Sequence, residues 1–221
     1  MKKAIATKKS RAQRSEEIRE ALFQAAAELV GEYGYGDTSI SRITQRADLA
    51  QGTFYNYFGS RQDIFDELLP VLGVKMMLHI RQAAVAGKGF FEREELAFRA
   101  FFSFLRRRPY FLRILNEAEI FAPKAHKAHF RKVSEDYKGF LRRAGEAGEI
   151  DRLGDEELEG LAYVLMSARG YLAMRYLKPD GTVDLPESVV GAYMRLLRQG
   201  IREQSPANDA RTASSQMSRS G

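Results

Sequence analysis

The sequence predicts an all-α fold in two units, a small N-terminal bundle and a larger helical unit behind it. Apolar residues recur at helical spacing almost throughout from residue 15 onward. No segment shows sustained strand alternation with hairpin turns. Glycines and prolines punctuate the periodic stretches, and no internal repeat is visible.

The elements follow in order. Ser15 is positioned to cap a first helix, with Glu16 and Glu17 near its positive end. Ile18, Leu22, Ala25, Ala26, Leu29 and Val30 form its apolar stripe, and Gly31, Gly34 and Gly36 end it. Thr38 and Ser39 cap a second helix that buries Ile40, Ile43 and Ala47. Residues 48–51 make a turn and 52–58 a third helix. Ser60 and Asp63 form a capping box that opens a long helix carrying Ile64, Phe65, Leu68, Leu69, Leu72, Met76 and Ile80. Pro70 and Gly73 lie inside it, and the proline is expected to kink it. After a break at 87–89, helices are expected over 92–107, from Pro109 to near 121, and over 123–147, 155–177 and 186–203.

At 221 residues, the chain suits one or two domains with a substantial core. It has no cysteine, which excludes a disulfide scaffold, a thiolate metal site and a cysteine nucleophile. No apolar run approaches the ~20 residues of a membrane span, and no apolar stretch follows the N-terminal lysines as a secretory signal requires. A soluble, cytoplasmic protein is expected. Lys2, Lys3, Lys8, Lys9, Arg11 and Arg14 equal the whole formal excess of +6 and have no acid among them. The expected organisation is a basic flexible arm over 1–14, a helical unit over 15–60, a larger one over 61–204, and a polar, disordered tail over 205–221.

Residues 38–61 read as helix, tight turn, helix and the capped start of the next. That is the layout of a helix-turn-helix DNA reader, which buries one face and turns polar groups to the major groove and the phosphates. Phe54 and Phe58 anchor the inner face with Ile43 and Leu49, since five consecutive aromatics and amides cannot all point inward. Gln51 and Asn56 suit base edges, the Thr53 methyl suits a thymine, and Tyr55 and Tyr57 suit phosphate oxygens. Thr38 and Ser39 mark a helix N-terminus that attracts a phosphate, and Arg61 offers a further backbone contact. The basic arm fits the same partner, because cations near phosphates release counterions.

From about Ile18 to Leu69 the chain resembles the N-terminal domain of the TetR family of bacterial transcriptional repressors. The resemblance is carried by Thr38-Ser39-Ile40, Ile43, Ala47, Gly52-Thr53-Phe54-Tyr55, Tyr57-Phe58 and Ile64-Phe65. It implies DNA contacts at Ser41, Gln51, Gly52, Thr53, Tyr55, Asn56, Tyr57 and Arg61. One departure is Gly59, where many relatives carry lysine. The resemblance also implies that the C-terminal helices dimerise and hold a small effector.

The last expected helix has apolar residues on more than one stripe, as a helix with two partners requires. Leu161, Leu165, Leu172, Val190, Tyr193, Met194, Leu197 and Ile201 are the expected interface, in a two-fold four-helix arrangement. Phe101, Phe104, Leu105, Phe111, Leu115, Phe121, Phe130, Tyr137, Phe140, Met166 and Tyr171 are expected to line an apolar cavity. Glu117, Glu119, Tyr163 and Arg169 are its candidate polar groups, and His126 with His129 reads as a solvated or pocket-rim pair rather than a metal site. No cofactor, metal or catalytic set is expected, and no enzyme activity. The chain therefore reads as a homodimeric regulator, more a repressor than an activator, released from double-stranded operator DNA by a largely apolar effector. The helix from about Arg61 to Ile80 would couple the two units. The alternative is a non-specific architectural DNA binder without an effector.

Overall fold

The computed structural model describes residues 10–178 and 180–200. Among them, α-helices follow one another as α1 (Arg11–Tyr33), α2 (Ile40–Arg46), α3 (Gln51–Phe54), α4 (Arg61–Ala84), α5 (Gly89–Arg107), α6 (Tyr110–Phe121), α7 (Pro123–Glu146), α8 (Asp155–Arg175) and α9 (Glu187–Gly200). The only extended pairing among the described residues is an isolated bridge between Leu177 and Val183. The fold is all-α. No helix among the described residues is long and apolar enough to cross a membrane.

α1 starts earlier than its sequence suggests. Ser10, not Ser15, is the N-cap: its hydroxyl accepts from the Gln13 N–H at 3.1 Å, and the Gln13 side chain accepts from the Ser10 N–H at 2.9 Å. That reciprocal box satisfies two otherwise orphaned backbone donors, so the helix extends to include Arg11 and Arg14. Lys2, Lys3, Lys8, Lys9, Ile201 and the expected tail lie outside the described residues.

α1 buries Leu22, Phe23, Ala26, Leu29 and Val30, and Ile43, Phe54, Phe58, Ile64 and Phe65 join the same core. Each of the valine, leucine, isoleucine and phenylalanine side chains contributes about 1.5–3 kcal/mol relative to exposure. Ser39 caps α2 by accepting from the Arg42 N–H, and Ser60 caps α4 by accepting from the Asp63 N–H at 3.2 Å. Between α2 and α3, Asp48 sits at φ 54, a left-handed conformation that aspartate tolerates. α3 ends at Phe54, sooner than expected, and Tyr57 and Phe58 close a further turn by donating to the Phe54 carbonyl.

α4 runs through Pro70 as one helix, although the proline removes a backbone donor. Two glycines set how closely the helices approach. A Cβ at Gly31 of α1 would lie 2.3 Å from the Tyr110 Cβ of α6. One at Gly73 of α4 would lie 2.3 Å from Nδ1 of His129 on α7.

Candidate nucleic-acid interface and ligand cavity

α2, α3 and the turn after α3 bring most of the expected DNA-contacting residues to one stretch of surface. Ser41, Gln51, Gly52 and Asn56 are exposed, Ser39 and Thr53 are half-buried, and Tyr55 is 54% exposed. Tyr57 is half-buried and packs on the core. Its preceding neighbours Tyr55 and Asn56 stand in the turn, not in the helix, because α3 is only Gln51–Phe54. A Cβ built at Gly52 meets no atom within 4 Å, so packing inside this chain does not demand glycine there.

Thr38 is a correction. Its side chain is fully buried and its hydroxyl donates to the Gly34 carbonyl at 2.8 Å, so it faces the core and offers nothing to a phosphate. Arg61 stands beside it. The guanidinium donates to the Gly36 and Thr38 carbonyls, each at 3.3 Å, and lies 5.4 Å from the Phe65 ring centroid. It braces the loop before α2 while remaining exposed.

α6 fastens this surface to the rest of the molecule. Glu117 accepts from the Tyr35 backbone N–H at 2.9 Å and from Arg113 Nε at 2.6 Å. Arg113 in turn donates to the Glu32 carbonyl at 2.9 Å. Phe121 stacks on Tyr35 with centroids 5.7 Å apart, and Gln62 donates to the Phe121 carbonyl. Burial and the nearby acids Glu117 and Asp66 push the Tyr35 phenol upward, so it stays neutral.

A cavity of about 470 Å³ lies between α4, α5, α6, α7 and α8. Met76, Ile80, Ala97, Phe101, Leu115, Phe130, Val133, Phe140 and Met166 supply apolar wall. On α7 the lining runs from His126 through Tyr137 to Arg143, at one helical face. At 1.5 Å per residue that stripe is about 25 Å long, so the cavity is elongated.

Of the expected lining, Phe101, Leu115, Phe130, Tyr137, Phe140, Met166 and Tyr171 reach the cavity, as do Glu119, Tyr163, Arg169, His126 and His129. Five residues do not line it. Phe104, Leu105 and Phe111 are buried core, with Phe104 edge-on to Phe111 at 5.2 Å. Glu117 and Phe121 face α1 and its following loop instead, because α6 has two working sides. Residues without an expected role complete the lining, notably Arg81, Arg93, Glu94, Asn116, Asp136 and Arg143.

Three polar groups of the wall, Glu94, Tyr137 and Arg169, form a connected set with Tyr193 beside them. Arg169 Nη2 donates to Glu94 Oε1 at 2.7 Å, and its Nη1 donates to the Tyr137 hydroxyl at 2.9 Å. Tyr193 and Tyr137 each donate a phenol to Glu94, at 2.5 Å and 2.6 Å. Burial works against the Arg169 charge, but Glu94 and the two phenols more than offset it and hold it protonated. Burial also raises both tyrosines, which remain donors. His129 is pushed down to about 4, first by burial and then by His126, so it is neutral at pH 7.

Five of the expected interface residues face inward instead. Leu165, Val190, Tyr193, Met194 and Leu197 are buried within their own chain, and Tyr193 stacks on Phe98 at 4.1 Å. Leu161 and Leu172 are partly buried and packed on the same core. The side of α9 that does turn outward carries Leu196, 69% exposed, and α8 exposes Val164 at 62%.

Residues 22–68 match the model of the bacterial regulatory proteins of the tetR family. Over 60 residues the chain is 40% identical to the uncharacterised HTH-type transcriptional regulator YvdT of Bacillus subtilis, covering 27% of this chain and 29% of that one. It is 38% identical over 47 residues to the fatty acid metabolism regulator protein of Bacillus subtilis, covering 21% and 24%. It therefore spans under a third of the length of these two curated relatives, and 66% of a third, YhgD of Bacillus subtilis, at 21% identity. Among solved structures, the fatty acid degradation regulator FadR from Bacillus halodurans superposes with a TM-score of 0.72 at 19% identity, covering 90% of this chain and all of that one. FadR from Bacillus subtilis in complex with stearoyl-CoA gives 0.71 at 20% identity, covering 83% and 100%. At these identities the superpositions establish the fold.

Proposed function

The N-terminal unit of this chain belongs to the tetR family of bacterial regulatory proteins, and we propose that the whole chain is a ligand-responsive transcriptional regulator. As a homodimer it binds operator DNA through α2, α3 and the turn after α3. The protein acts as a repressor, and a molecule with a long apolar chain enters the cavity and releases it from the operator. The stearoyl-CoA complex of the Bacillus subtilis neighbour supports an acyl chain as the occupant, as does the elongated, mainly apolar wall.

The observation that carries this reading is the double role of α6 and α4. α6 lines the cavity with Leu115, Asn116 and Glu119, and it grips the loop before α2 with Glu117 and Phe121. α4 lines the cavity with Met76, Met77 and Ile80, and its first residue Arg61 braces the same loop. An occupant that shifts either helix changes the placement of the DNA-reading surface. Coupling of about 1–3 kcal/mol corresponds to a 5- to 150-fold loss of operator affinity. Dimerisation draws on the outward residues Val164 and Leu196, and two-fold symmetry sets the paired half-sites.

Fluorescence anisotropy tests the proposal, using the DNA upstream of the protein's own coding sequence. Specific binding should survive excess unrelated DNA and fall when stearoyl-CoA is added. Equal binding to unrelated DNA at every salt concentration would instead favour the non-specific architectural role.

A further inference from the structure

We propose that Glu94 is a specificity-determining residue of the cavity: it occupies Arg169 and so denies that buried cation to a ligand carboxylate. The inference rests on the cavity being the ligand site proposed above.

Arg169 and Glu94 both line the cavity, and both are buried. A guanidinium in an apolar cavity wall is the group best suited to take a carboxylate by two parallel hydrogen bonds. Here the protein supplies the carboxylate itself. Arg169 Nη2 is spent on Glu94, and Nη1 is shared among the Tyr137 hydroxyl, the Leu165 carbonyl and, at 3.4 Å, the Tyr193 hydroxyl. Glu94 is equally committed, since Oε1 accepts from Arg169 and Tyr193 while Oε2 accepts from Tyr137. Four helices, α5, α7, α8 and α9, each contribute one member.

An incoming carboxylate cannot trade places with Glu94 without leaving that carboxylate buried with no cation beside it, held by the two phenols alone, which is strongly unfavourable. Nor can it sit beside the pair without facing the Glu94 charge at low dielectric. The remaining cations of the lining do not substitute. Arg93 and Arg143 are exposed, and Arg81 already pairs with Asp136 at 2.7 Å. A carboxylate near them stays hydrated and gains little. The wild-type cavity should therefore accept an esterified and a free acid chain almost alike, with no reward for the charge.

The test compares cis-parinaric acid with its methyl ester by fluorescence titration at neutral pH, on the full chain. Wild-type protein should bind the acid no more than about threefold tighter than the ester. Glu94→Gln should raise the acid-to-ester affinity ratio at least tenfold, because Arg169 is then a free cation in the wall. In Glu94→Gln/Arg169→Gln the gain should vanish. An unchanged ratio in folded Glu94→Gln overturns the inference. So does a wild-type preference for the acid of tenfold or more that Arg169→Gln abolishes. If Glu94→Gln does not fold, the wild-type ratio and its response to Arg169→Gln still decide. Failure of both probes to bind any of these proteins overturns the cavity reading itself, and this inference with it.

Discussion

The Tyr35 backbone N–H donates to the Glu117 carboxylate at 2.9 Å, joining residues 82 positions apart in the chain. The bond ties the loop before α2 to α6, and its acceptor also holds Arg113. Glu117→Ala removes both contacts, and each hydrogen bond to a charged group is worth about 1.5–3 kcal/mol. Faster amide exchange in the segment from Gly31 to Thr38, with α8 unaffected, is the expected result. Unchanged exchange there would mean that α6 does not restrain the loop.

Gly52 and Thr38 should separate reading from folding. Gly52→Ala meets no neighbour and replaces a poor helix former by the best, a gain of up to about 1 kcal/mol in a helix interior. Melting temperature should hold or rise while operator affinity falls. Thr38→Val should do the reverse. It loses the hydroxyl bond to Gly34, costing about 1 kcal/mol of stability, with any DNA effect following from that alone. Paired calorimetry and anisotropy would expose an inverted pattern.

Asp48→Gly should be tolerated, whereas Asp48→Val should lose about 1–2 kcal/mol, because a β-branched residue fits badly at φ 54. Urea denaturation of the two variants measures the difference. Equal stabilities would show that the turn between α2 and α3 relaxes freely.

His129 should give the fold an acid-sensitive component. Its native pKa is lowered from 6.5 to about 4, first by burial and then by His126. The unfolded chain takes up a proton below 6.5 while the native state does not. The corresponding stability is present above pH 6.5 and is lost as the pH falls through about 4, in total of order 3 kcal/mol. His129→Gln should flatten this part of the urea-midpoint curve, and parallel curves for the two proteins would contradict the assignment.

Leu196→Arg should weaken self-association without reducing monomer stability, since the side chain is exposed. Val190→Ala should instead destabilise each chain, by somewhat less than the 2–5 kcal/mol of larger buried truncations. Analytical ultracentrifugation combined with thermal unfolding distinguishes the two. Unaltered association of Leu196→Arg would move the interface elsewhere.

Local chemistry was legible in the sequence. Ser39 and Ser60 cap the helices they were expected to cap, because a cap involves residues only three apart. The apolar stripe of α1 was equally readable from spacing, and Leu22, Ala25, Ala26, Leu29 and Val30 are buried as expected. What sequence could not reveal is which neighbour each apolar face meets. Phe101 faces the cavity while Phe104 meets Phe111, a difference fixed by how α5 crosses α4 and α6. The same holds for α9, whose richer stripe turned inward onto Phe98. Glu94 gave no sign, since its importance depends on Arg169, 75 residues later.

The fastening of α6 to the N-terminal unit has a consequence for exchange of parts. Arg113 holds the Gly31 and Glu32 carbonyls and Glu117 holds a backbone N–H, while Gly31 makes room for Tyr110. The socket thus grips mostly main chain, which every sequence possesses, and asks of the plug a glycine, an aromatic ring in the place of Tyr35 and the bend after α1. Chimaeras built on this body should accept foreign reading heads that keep those three features, whatever operator they recognise.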